Sequence, residues 1–153
     1  KKTLRIAAKY ARGTSFMGAA SYVSYTNFAG ILDVFRRKSD VLAAHCRDLG
    51  TDFDSITRSA NFNVIVGATE ADVDDRLSRL ADLYSRFATA SRAENSLQAF
   101  RESPAVGTTE QVIEALSALQ DAGMTYAICY FPHVAHDKSN LELFEREVIP
   151  GLS

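Results

Sequence analysis

The sequence holds little from which to build a metal centre or a disulfide frame. Its two cysteines, Cys46 and Cys129, lie far apart and show no metal-type spacing. They read as small buried hydrophobes in a reducing compartment, which makes the cytosol the default location. No apolar run approaches the ~20 residues needed to cross a bilayer. The basic start, Lys1-Lys2-Thr3-Leu4, leads into an amphipathic pattern rather than an apolar signal core. The formal charge is only −2, so there is no electrostatic case for a nucleic-acid partner or an anionic membrane surface. A Walker loop, a nucleophile–base pair and a basic stripe are absent as well. So is an initiator Met; the first residues already read as the opening turn of a helix. What remains is the composition of a soluble globular protein, 46% apolar and 24% charged over 153 residues. That is enough for one domain with a hydrophobic core and too little for two.

Periodicity supplies the elements. Leu4, Ala7, Ala8 and Ala11 share one helical face, with Gly13 placed to stop the helix. Thr14 to Met17 reads as a weak strand and Gly18 to Gly30 as loop. Ile31, Val34, Phe35, Val41, Leu42, His45 and Leu49 trace the stripe of a long helix that Gly50 terminates. From Ile56 to Val66 the period becomes two, with Ala60, Phe62, Val64 and Val66 on one side and Asn61, Asn63 and Ile65 on the other. Thr69 caps a helix with an acidic start and a stripe of Val73, Leu77, Leu80, Ala81 and Tyr84. Thr89 to Val106 looks irregular. Thr108 and Gln111 form a capping-box pattern, and Gly123 ends the helix they open. Met124 to Phe131 suits a strand buried on both faces, and Leu141, Phe144, Val148 and Ile149 mark a last helix. Strands that alternate with helices of this length imply a parallel sheet. Three such strands make a poor sheet by themselves, because a parallel sheet needs cover on both faces. A full (β/α)8 barrel takes ~250 residues, so the pattern is expected to be the C-terminal portion of such an α/β TIM barrel.

Several segments, in order, resemble the luciferase-like monooxygenase superfamily, and most closely its branch dependent on 8-hydroxy-5-deazaflavin (coenzyme F-420). They are Thr3 to Ala11, Arg37 to Cys46, Gly50 to Ile56, Val106 to Val112, Ala122 to Met124 and Leu143 to Pro150. Two positions depart from the usual pattern: Arg12 stands where an acid is common, and Thr109 where proline is. The resemblance implies a C-terminal half of a luciferase-like domain over residues 1–153, with the first barrel strands and much of the substrate pocket in an N-terminal half before Lys1. It implies an oxidoreductase that passes a hydride between the deazaflavin and an organic small molecule. An FMN-dependent monooxygenase is the alternative, and a non-catalytic half-barrel that binds or self-assembles as a homo-oligomer is another.

Candidate site residues follow from the barrel's geometry, which puts chemistry at the C-terminal ends of strands. Lys1, Lys2 and Thr3 stand at a helix start, where free N–H groups attract an anion; the resemblance assigns that place to the coenzyme phosphate. Phe16 and Met17 are candidates to wall the coenzyme ring, and Phe131 and His133 to line the substrate pocket. For any one of the hydrophobic residues a core role is the plainer alternative. His133, His136 and Asp137 sit in a loop after Pro132 without the fixed three-ligand geometry of zinc, so no metal is expected. No catalytic residue is identifiable.

Overall fold

The computed structural model describes residues 2–17, 28–87, 89, 95, 97, 98 and 100–152. Helix α1 (Lys2–Tyr10) buries Ala7 and Ala8, and two residues later β1 (Gly13–Met17) begins. Gly13 is not a helix terminator: it is the first strand residue, paired with Thr57. Helix α2 (Phe28–Leu49) starts ahead of Gly30, within the stretch expected to be loop; residues 18–27 of that stretch lie outside the described residues. Its end is as the sequence indicates. Gly50 has φ 67°, and the amides of Gly50 and Thr51 reach back to the carbonyls of Arg47 and Cys46 at 3.3 and 3.0 Å. This is the left-handed stop that glycine adopts without steric cost.

The alternating segment is two strands, not one. β2 (Thr57–Asn63) lies between β1 and the later β5 (Tyr126–Tyr130), parallel to both. After Val64, β3 (Ile65–Gly67) leaves that sheet and pairs in parallel with β4 (Val106–Thr108). Among the described residues there are therefore five strands where the sequence suggests three. β4 emerges from the end of the stretch read as irregular. The alternation itself is as expected: Ala60, Phe62, Val64 and Val66 are all fully buried, packed with Phe35 and Leu42 of α2 in the main core.

Helix α3 (Glu70–Ser85) follows a complete capping box on Thr69 and Asp72, and α4 (Thr109–Asp121) another on Thr108 and Gln111. α3 buries Val73, Leu77 and Leu80 with Ile65 and Phe100 in a second, smaller core. The chain ends in α5 (Ser139–Leu143), a π-helical turn (Phe144–Val148) and α6 (Ile149–Gly151).

The turn from β3 into α3 is tight enough to demand glycine. A Cβ on Gly67 would lie 2.8 Å from Thr69 O, from Val73 N and from Asp72 Cβ, so two of the three clashes are with backbone. Gly67→Ala is expected to cost about 1–3 kcal/mol, as overpacking does, through distortion of the α3 capping box. A lowered urea midpoint with unchanged slope is the readout; a midpoint equal to that of the parent would show that the turn yields freely.

One expectation is reversed. β5 is not buried on both faces: it is an edge strand, with Tyr126 58% and Tyr130 50% exposed. The apolar run is real, but no strand covers the far edge of β5 among the described residues. In register, Ser15, Ser59 and Tyr126 form one row, Asn61 and Ile128 the next, and Asn63 and Tyr130 a third. These rows lie on the face opposite Ala60 and Phe62, because successive strand residues alternate. One face of the sheet is thus apolar and helix-covered, the other polar and aromatic.

Candidate functional site

The two-residue link between α1 and β1 makes them antiparallel, so the first turn of α1 stands beside the C-terminal end of β1. An open cleft of about 1020 Å³, open mouth included, lies there. Thr3 and Leu4 of α1, Thr14 to Phe16 of β1, and Arg37, Lys38 and Val41 of α2 line it. Two cations and no carboxylate are among these residues. The first N–H groups of α1 have no acceptor within their own helix and add a partial positive charge.

Lys38 is the residue that sequence reasoning passed over. It falls on the apolar stripe of α2, between Phe35 and Val41, and its ammonium donates to the carbonyl of Phe16. Burial, and next the adjacent Arg37 charge, hold its pKa below the ordinary lysine value. A lysine disfavoured in its charged form by burial and a like charge is relieved by an anion. The signal was available: a lysine at i+3 and i+4 from buried positions on a helical stripe needs a polar reason to be there.

The expected site residues are distributed as follows. Thr3 and Phe16 share the cleft. Lys2 is exposed in the first turn of α1, and Lys1 lies outside the described residues. Phe16 presents its backbone to the cleft, while its ring is buried against Phe35 with centroids 4.9 Å apart. Met17 closes β1, paired with Ala60 across an irregularity in register. Phe131 is not brought to this cleft; it packs edge-on against Phe144 at 5.4 Å and belongs to the periphery of the main core. His133 lies beyond the other edge of the sheet, facing Arg79 and Arg86. Burial holds His133 below the usual imidazole pKa; Asp137 pulls it upward, while His136, Arg79 and Arg76 add to the lowering. Cys129 is a free thiol whose pKa burial pushes up to about 11, which leaves almost no thiolate near neutral pH. No group of three or more metal-ligating side chains is present among the described residues. No helix among them is long and apolar enough to cross a membrane.

Two further polar residues escaped the sequence reading. Asn140 is buried, its Oδ1 accepting from Val66 N–H at 2.9 Å and its amide donating to Val64 C=O at 2.8 Å. Arg58 is buried at the opposite end of the sheet, donating to the carbonyls of Gly123, Phe53 and Ile56. Both hold backbone; neither lines the cleft.

No family model matches the chain, and no curated protein matches it. Solved structures do resemble it. The coenzyme F420 dependent tetrahydromethanopterin reductase from Methanopyrus kandleri has TM-score 0.63 and 16% identity, over 98% of this chain and 48% of that one. A long-chain alkane monooxygenase has TM-score 0.67 and 17% identity, over 99% of this chain and 38% of its own. The EDTA monooxygenase from Chelativorans sp. BNC1 has TM-score 0.62 and 17% identity, over 99% and 44%. The chain thus spans less than half the length of these structures while they cover nearly all of it. Its α/β fold, parallel strands alternating with helices, is that of somewhat less than half of each of these structures.

Proposed function

We propose that this chain is the coenzyme-phosphate half of an oxidoreductase that transfers a hydride between 8-hydroxy-5-deazaflavin (F420) and an organic small molecule. The observation that carries the reading is the cleft at the start of α1, where Thr3, Arg37 and Lys38 converge without a carboxylate, on a fold shared with an F420 dependent reductase. The residues present suit the anionic end of such a coenzyme. Backbone amides of the first turn of α1 and the Thr3 hydroxyl would donate to a phosphate, and Lys38 would turn from Phe16 O to a stronger acceptor. When bound, the deazaflavin supplies two-electron hydride chemistry; the protein's part is to hold and orient it and to exclude water. The polar, tyrosine-bearing face of the sheet (Asn61, Asn63, Tyr126, Tyr130) would then be the lumen side of a barrel completed by further strands. Binding of a small-molecule substrate, with Phe131 and His133 at its margin, a cytosolic location and a homo-oligomeric state belong to the same reading.

A second reading has its own support. Two of the similar structures are monooxygenases, which favours FMN and oxygen-dependent chemistry in the same cleft. Fluorescence titration of the full-length protein with F420 and with FMN separates them. Saturable binding of F420 is expected, weakened about 10- to 100-fold by Lys38→Glu, which corresponds to about 1.4–2.8 kcal/mol. Saturation by FMN instead selects the monooxygenase reading, and binding of neither ends both.

A further inference from the structure

We infer that a second anion site, separate from the α1 cleft, lies between α3 and the loop that follows β5, and that it takes the carboxylate or phosphate group of a small molecule. The α3 side is a stripe of guanidinium groups. Arg76, Arg79 and Arg86, at the C-cap, are three and ten residues apart from the first, which on a 3.6-residue period places them on one face. The opposite wall is the turn over 131–137. Its shape is fixed by its own backbone: Val134 N–H donates to Phe131 O, and the amides of His136 and Asp137 both donate to His133 O at 2.8 Å. The turn therefore holds His133 and His136 toward α3.

Two adjoining clefts result, of about 510 and 590 Å³ with their open mouths included, and Arg79, His133 and His136 line both. Asp82, Leu83 and Arg86 complete the first, and Ile65, Arg76, Asp137 and Asn140 the second. Two of the guanidinium groups here lack an anionic acceptor. The guanidinium of Arg86 has no partner among the described residues. Arg76 donates only to the neutral Ser139 hydroxyl, at 2.9 Å. His133 Nε2 is buried and has no hydrogen-bond partner among the described residues; a sealed ring nitrogen of that kind is rarely left unmatched.

The acids nearby do not fill the demand. From α3, Asp75 is taken up by Arg79 at 2.6 Å. From the loop, Asp137 accepts from Ser139 N–H at 2.8 Å and stands 4.0 Å from Arg79. Asp82, also on α3, lines the first cleft without an ion pair among the described residues; it sets the rim where a ligand's uncharged part is tolerated. An oxyanion between Arg86, Arg79 and His133 would gain a planar two-donor guanidinium contact and supply the missing acceptor for an Nε2–H. A small molecule with one charged end fits better than a nucleic acid, since the groove is short and carries carboxylates on its margin. This site follows the C-terminal end of β5, across the sheet from β1. It does not depend on which coenzyme, if any, the α1 cleft holds.

The test is NMR titration of the His133 and His136 ring protons of the protein with glutarate and, separately, with inorganic phosphate. Saturable shifts of both imidazoles with at least one anion are expected. Arg86→Ala should raise the dissociation constant about tenfold, Arg86→Lys by less, because the lysine restores charge without the planar fork. Arg86 is exposed, so the fold is expected to survive; circular dichroism and the amide spectrum check that it does. The stronger of the two anions identifies a carboxylate or a phosphoryl ligand. Shifts that never saturate, or an affinity unchanged in a folded Arg79→Ala/Arg86→Ala double variant, would overturn the site.

Discussion

Asn140→Leu is expected to remove about 2–6 kcal/mol of stability, because two buried backbone groups lose their partners at about 1–3 kcal/mol each. The loss falls where the sheet changes partners. Val64 N–H still donates to Tyr130 O at 2.8 Å, the last rung of the β2–β5 ladder. One residue on, Ile65 N–H already donates to Ala105 O at 3.0 Å, the first rung toward β4. Beyond Tyr130 the chain turns away through Pro132, so nothing in β5 can meet Val64 C=O or Val66 N–H. The carboxamide of Asn140, from the first turn of α5, replaces the missing strand: one acceptor and one donor on a single planar group. Asn140→Asp keeps the acceptor and turns a carboxylate oxygen toward the Val64 carbonyl, so it should also destabilise. A typical domain has only about 5–15 kcal/mol in total, so the leucine variant is expected to lose a large share of its stability. Urea unfolding measures the total, and hydrogen exchange localises it: Val66 should lose protection before Ala60. Equal stability of parent and variant would mean that water satisfies β3 as well as Asn140 does.

The residues that read most clearly in the sequence are those whose structure is decided by near neighbours. Thr69 and the pair of Thr108 with Gln111 are caps decided within four residues, and both are formed. Gly50 is a stop because the helix before it ends there. The row Ala60, Phe62, Val64 and Val66 was legible because burial on one face writes a period of two. β4 was not, because Val106-Gly107-Thr108 has no alternation and its partner lies some forty residues earlier; only the sheet makes it a strand. The run from Met124 to Phe131 showed its apolarity but not its place at the edge, since hydrophobicity does not say which neighbour covers a strand. Gly13 misled for a related reason: a glycine after a helix reads as a cap, whereas this one lets β1 approach Thr57, with a Cβ position 3.3 Å from Thr57 Cβ.

For the candidate site the division is similar. Thr3 was visible because a helix start has a chemistry of its own. Lys38 and Arg58 were not singled out, although each violates its local pattern. Lys38 interrupts a buried helical stripe, and Arg58 lies two residues before Ala60 on the inward row of β2. A charged residue on an inward row is informative because its burial is costly without partners. The two then diverge. Lys38 sits toward the C-terminal end of β1, where barrel sites form, and Arg58 near the N-terminal end of β2, where residues serve stability.

Arg58→Met is therefore expected to unfold the protein more readily by about 3 kcal/mol while leaving anion binding in the α1 cleft unchanged at temperatures where the fold persists. No carboxylate pairs with this buried guanidinium among the described residues. Its Nε–H donates to Gly123 O at 2.7 Å, and Nη1 donates to Phe53 O and Ile56 O at 2.8 and 3.1 Å. Gly123 follows the C-cap of α4, so Arg58 also meets the negative end of that helix, which favours a cation. The guanidinium carbon stands 4.1 Å from the centre of the Phe53 ring, adding a cation–π contact. Its own backbone joins the same junction, with Arg58 N–H donating to Thr125 Oγ1 and Thr125 N–H donating to Arg58 O, both at 2.9 Å. Methionine fills much of the volume but strips three carbonyls of donors; hydrogen bonds to a charged group contribute about 1.5–3 kcal/mol each, net of the water bonds they replace, and water that reaches the freed carbonyls returns part of the loss. Arg58→Lys separates charge from geometry. One ammonium cannot serve carbonyls from three residues and stack on Phe53 together, so lysine should recover the smaller part of the loss. Full recovery by lysine would show that the end of α4 needs only a positive charge. No loss in either variant would show that the three carbonyls are as well served by water, and that the lower end of the sheet is held by its helices alone.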